Sequence, residues 1–112
     1  MDETKEVIIN DKRFIIHKAP ATVAYETAMK YMQATAEDKD GVVRIDSVKM
    51  DECRRALFRY IEVDLGDGRL VKLENDGITN QHVTDVSQLV QLQKEAVAVN
   101  FHFSQDENPS LS

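Results

Sequence analysis

Leu89, Leu92, Ala96, Val99 and Phe103 step along the chain by three and four, and that spacing lines all five along one side of an α-helix. Val86, Val90, Val97 and Phe101 widen the seam on one flank. Between Ala96 and Phe103 the predicted helix is therefore apolar over far more than one narrow stripe. Such a surface has to be covered. A chain of 112 residues is enough for one domain and too short for two ordinary ones, so the cover comes either from the chain's own core or from another molecule. Leu89, Leu92 and Ala96 belong to the core on this pattern. For Phe101 and Phe103, core and contact surface are both open.

The rest of the chain supplies the remaining layers. In "EVIINDKRFIIHK" two short β-branched runs flank the turn residues Asn10, Asp11 and Lys12, a β-hairpin pattern. Pro20 disfavours helical geometry at Ala19 and can itself open a helix. In the helix that follows, Tyr25, Ala28, Met29 and Met32 fall on one side and are expected to form its buried face. The charged turn "EDKDG" leads to a second helix predicted from Val48 to Tyr60, carrying Met50, Cys53 and Leu57 on its apolar side, with Asp46 or Ser47 as its cap. The alternation Val63, Leu65 and then Leu70 or Val71, Leu73 around Gly66-Asp67-Gly68 predicts a second hairpin. One helical turn fits between Asn75 and Val83. Thr84 is the expected N-cap of the last helix, with Asp85 in its first turn.

Composition removes several function classes. At 42% hydrophobic residues the chain can build a real core. A formal net charge of −6 and a pI of about 5.0 argue against nucleic-acid binding, which draws on clustered Lys and Arg. The nearest cluster, Arg54, Arg55 and Arg59, lies at helical spacing and is expected to be a solvated face. No apolar run approaches the roughly 20 residues of a membrane span, and "MDETKEV" is not the start of an export signal; a cytoplasmic location is the expectation. Cys53 is expected to be a buried small hydrophobe.

Several stretches carry residues capable of chemistry. "AEDKDGVVRIDS" looks like a calcium loop with Asp38 and Asp40 before Gly41, but Ala36 and Ser47 stand where the leading carboxylate and the bidentate Glu belong. A charged turn explains it better. His17, His82 and His102 have no second ligand at zinc spacing. "GDGR" lacks the Lys-Ser/Thr of a phosphate loop. With 20 Asp and Glu, some proximity of carboxylates is expected by chance, and none is singled out as an acid/base pair. The expectation is a protein that is not an enzyme and carries no cofactor or metal.

Two stretches resemble the small tail assembly chaperones of long-tailed bacteriophages. "VIINDKRFIIHKAPATVAYETAMKY" resembles their opening, in which an "I-N-x-K-x-F" turn is followed by "K-x-P-A" at the first helix. Tyr60 to Gly66, Ile78 to Val83, Leu89 to Glu95 and Asn100 to Phe103 match the family's later hairpin, "[IL]-x-N-x-H-V", "L-x-x-L-x-x-E" and "N-F-x-F" segments. Phe103 is followed here by Ser104, where family endings often carry a second aromatic. The resemblance spans most of the chain except Gln33 to Asp51 and the tail. It implies a morphogenesis factor that binds the tape measure protein and commonly the tail tube protein, acts in the host cytoplasm and is absent from the finished virion. It also implies a longer frameshifted product in many members.

These observations together predict an α+β domain over 1–103, with an N-terminal β-hairpin, two helices, a second hairpin and a long C-terminal helix, followed by a disordered polar tail over 104–112. Val97, Phe101 and Phe103 are the expected partner-binding residues, with Leu92 and Val99 facing inward. Oligomeric state is left open, a homo-oligomer included. The alternative from another class is a small acidic inhibitor or nucleic-acid-mimicking decoy from a mobile element.

Overall fold

Asn10 and Asp11 both adopt positive φ, 53° and 69°, the conformation a two-residue hairpin turn needs and one that Asn and Asp tolerate. The computed structural model describes residues 4–101, and in it this turn fixes the register of β1 (Thr4–Ile9) on β2 (Lys12–His17), with Ile9 opposite Lys12 and Val7 opposite Phe14. Alternation then sends Val7, Ile9, Phe14 and Ile16 to one face. β3 (Ile61–Asp64) adds antiparallel to β2, with Val63 opposite Phe14 and Ile61 opposite Ile16, and β4 (Leu70–Lys72) completes a four-stranded antiparallel sheet in the order β1-β2-β3-β4. Gly66 and Gly68, at φ of 95° and 87°, carry the β3–β4 turn. The fold is α+β, as the sequence pattern implies.

Four helices accompany the sheet. α1 (Ala21–Ala34) follows Pro20, whose carbonyl accepts from Ala24 N–H at 2.9 Å. α2 (Ser47–Phe58) is capped by the Asp46 carboxylate, which accepts from Lys49 N–H at 3.0 Å; it starts one residue before the expected position and stops two short of Tyr60, because the chain must extend into β3. The expected turn after Asn75 is a short helix, α3 (Asp76–His82), capped by the Asn75 side chain. α4 (Val86–Asn100) is capped by Asp85 and not by Thr84. The Asp85 carboxylate accepts from Gln88 N–H at 2.9 Å, while Gln88 Oε1 accepts from Thr84 N–H at 3.0 Å, a reciprocal capping arrangement. Lys5 Nζ ties β1 to α4 through Glu95 at 2.7 Å.

One core joins these layers: Phe14, Ile16, Ile61 and Val63 from the sheet meet Leu57, Phe58, Leu92 and Ala96 from α2 and α4. The opposite sheet face carries a polar row beside the exposed Ile8. Arg13 bridges the Glu6 and Asp64 carboxylates, and His17 Nε2 lies 2.7 Å from Glu62 Oε1.

Two expectations are corrected. The line Tyr25, Met29, Met32 is not the buried face of α1: these residues are 68%, 39% and 51% exposed. The buried side is Thr27 and Ala34, flanked by half-buried Ala28 and Tyr31. Thr27 can be buried because its hydroxyl donates to the Val23 carbonyl at 2.7 Å, and its small neighbours let α1 approach α2, where Cys53 Sγ reaches the Thr27 carbonyl at 3.5 Å. Arg54, expected on a solvated face, is 8% exposed. Its guanidinium stacks over the Phe58 ring at 5.5 Å and pairs with Asp51 and Asp76, so its charge is answered inside the protein. Arg55 remains exposed beside the same two carboxylates.

Candidate partner-binding groove

α4 is held over the sheet by Leu92 and Ala96, both fully buried, and its last turn is fixed by Asn100. The Asn100 Oδ1 accepts from the buried Ala19 N–H at 2.8 Å and its Nδ2 donates to the Ala96 carbonyl at 2.9 Å. This bond crosses from α4 to the β2–α1 connection, so the chain at Phe101 is turned inward. Phe101 is 8% exposed and belongs to the core; its ring centroid lies 5.7 Å from that of Tyr31 at 54°. Of the three expected contact residues, Phe101 is thus placed in the core. Phe103, the third expected residue, lies outside the described residues, as does the tail over 104–112.

Val97 is placed differently. It is half-buried, packs against the core from one side, and on the other lines an open groove of about 500 Å³ with Tyr31, Ile45, Met50 and Val90. Three elements build this groove: the end of α1, the start of α2 with the segment before it, and the outer flank of α4. Gln93 closes one side, its Nε2 donating to Met50 Sδ at 3.2 Å. Lys94 is the sole charged residue in the lining among the described residues. Leu92 is buried and Val99 is half-buried against the core. Ile45, 58% exposed, and Val90, 43% exposed, were not singled out as contact residues, although Val90 belongs to the flank that widens the terminal seam. Ile45 sits in "VVRI", a run too short to assign, and only the fold brings it beside α4.

The other residues weighed in the sequence have structural surroundings. Asp38 is consumed by its own turn: one carboxylate oxygen accepts from Asp40 and Val42 N–H, the other from Arg44 Nε at 3.0 Å. Those bonds, led by Val42, hold its carboxyl below the usual range. Burial pushes the Cys53 thiol up, away from thiolate reactivity. His82 is held below the usual imidazole range, first by burial and then by Lys12, whose Nζ lies 3.3 Å from His82 Nδ1. Among the described residues, no group of three His, Cys, Asp or Glu is placed to hold a metal ion, and no helix is long and apolar enough to cross a membrane. No family model, curated protein or solved structure matches the chain. What the geometry offers is an α+β domain with an apolar groove on its helical side.

Proposed function

We propose that the chain is a binding module of the tail assembly chaperone kind, which takes an apolar helical segment of the tape measure protein into the groove beside α4. It acts by stoichiometric contact, keeps that segment soluble during tail morphogenesis, and engages the tail tube protein as a second partner. The observation that supports this most is the groove itself: Tyr31, Ile45, Met50, Val90 and Val97 present an apolar trough on a chain kept dispersed by a net charge of −6. A helix in such a groove is held by apolar anchors at i, i+3, i+4 and i+7. The sequence resemblance adds the identity of the partners. The action belongs in the host cytoplasm, with the protein shed before the virion is complete.

The test is co-purification of the tagged full chain with a co-expressed apolar segment of the tape measure protein from its own genome, washed at low and high salt. Retention in high salt is expected, because apolar contacts barely weaken as charges are screened. Val90→Asp and Ile45→Asp, both at exposed positions, should release the segment while leaving the far-ultraviolet spectrum unchanged. Retention by both folded variants would remove the groove from the interface, and loss of the wild-type complex in high salt would favour an acidic decoy.

A further inference from the structure

Arg54, Arg55 and Arg59 line a cleft of about 240 Å³ between the end of α2 and the β4–α3 connection, with Phe58 as apolar wall and Glu74 and Asp76 as acidic edge. With Asp51, which pairs with Arg54 and Arg55 just outside the lining, three cations meet three carboxylates, so the cluster is charge-balanced in a chain whose formal charge is −6. The cleft shares no lining residue with the groove beside α4.

Arg54 is more than nine-tenths buried. Its Nε donates to Asp51 at 3.0 Å, and its Nη2 reaches Asp51 and Asp76 at 2.8 and 3.2 Å. Among the described residues Nη1 has no acceptor. A guanidinium nitrogen with two unmatched N–H bonds, on a side chain that lines the cleft, can take an acceptor from outside the chain. The Arg59 side chain likewise makes no hydrogen bond or ion pair among the described residues, although Arg55 beside it is doubly engaged with Asp51 and Asp76.

We propose that this cleft binds a single carboxylate attached to an apolar group, held by Arg54 Nη1 and the Arg59 guanidinium against the Phe58 wall. Charge selects among oxyanions. Inorganic phosphate carries close to two negative charges near neutral pH and would lie beside Asp51, Glu74 and Asp76 with no net cation to answer it. A carboxylate carries one charge, and its two coplanar oxygens match the guanidinium fork. The carboxylate comes either from an acidic side chain in a peptide or from a small free acid.

The experiment titrates acetate, N-acetyl-phenylalanyl-glutamate amide and inorganic phosphate separately into the isotope-labelled full chain at constant ionic strength, following the arginine Nε–Hε signals by NMR. Saturable shifts of Arg54 and Arg59 with acetate are expected, with no shift of Arg69, which pairs with Asp67 in the distant β3–β4 turn. Arg59→Gln, at an exposed position without partners to lose, should keep the fold and weaken acetate roughly tenfold or more. Tighter binding of the blocked peptide assigns the carboxylate to an acidic side chain; equal affinity assigns it to a free acid. Linear shifts shared by Arg69, affinity unchanged in Arg59→Gln, or tighter binding of phosphate than of acetate would each overturn the assignment.

Discussion

Replacing Phe101 by alanine decides whether the end of α4 is core or contact. The ring is 8% exposed and contacts Tyr31 in a tilted pair with centroids 5.7 Å apart. Truncating a buried Phe costs about 3–5 kcal/mol, and a tilted aromatic pair accounts for about 0.5–1.5 kcal/mol of such a total. Phe101 is the C-cap of α4, where the chain end can relax, so the lower part of the range applies: about 3 kcal/mol. Domains of this kind have about 5–15 kcal/mol in all, so the variant should remain measurable. With a urea slope of roughly 1–3 kcal/mol/M, the unfolding midpoint should fall by about 1–3 M at unchanged slope. Phe101→Leu keeps the apolar volume but loses the ring pair and should cost about 1 kcal/mol. If Phe101→Ala moved the midpoint by less than the equivalent of about 1 kcal/mol, the ring would not be core. Its role as a contact residue beside Val97 would then be restored.

Asp85→Ala should lower the thermal midpoint by a few degrees and Thr84→Ala by less, because the Asp85 carboxylate is what accepts from Gln88 N–H; the reverse order in a thermal melt would return the cap to Thr84. Asn100→Ala leaves the buried Ala19 N–H without its acceptor and should cost about 1–3 kcal/mol by urea unfolding, whereas a change under a few tenths would mean that water replaces the amide. Stability should also fall as pH drops in two steps. His82 has its folded pKa below its unfolded one, so its contribution is present above the ordinary imidazole range and is lost as pH falls through the lower folded value; His82→Asn should erase that step. The carboxyls of Asp38, Asp64 and Asp76 are likewise lowered, so a second loss is expected only below the ordinary carboxylate range. A pH scan of urea midpoints that rises on acidification would contradict both signs.

Hairpins and helix positions were legible because they depend on local chemistry. Asn10, Asp11, Gly66 and Gly68 supply the positive φ the two hairpin turns need, and Pro20 and Asp46 mark helix starts whatever surrounds them. Which side of α1 is buried was not legible, because it is chosen by α2. Thr27 reads as polar in a sequence, and its hydroxyl becomes harmless only once it bonds to Val23. Arg54 was misplaced for the same reason: a charge at helical spacing looks solvated until Asp76, more than twenty residues away, is folded next to it. Phe101 was open between two roles because the bond that turns it inward joins Asn100 to Ala19, across most of the chain. Val97 could be named from α4 alone. Tyr31, Ile45 and Met50 could not, since no periodicity relates three separate elements.

The division of polar and apolar surface bears on how the proposed binding module would avoid the wrong contact. An open sheet face invites stacking against another sheet, yet here that face carries the Glu6–Arg13–Asp64 row and the His17–Glu62 pair, whose desolvation would oppose such stacking. Ile8, 70% exposed, is the apolar exception on that face, and more of the exposed apolar residues lie on the helical side, Met32, Ile45 and Val90 among them. There the groove lies between α1, α4 and the start of α2 with the segment before it. Methionines at Met50 in the groove and Met29 and Met32 on the exposed side of α1 add adaptable, unbranched surface, which tolerates different apolar side chains in the same site. A partner with many similar apolar helical segments would be met by such a surface without a fixed register, and that is the demand a long tape measure protein would make of the proposed chaperone.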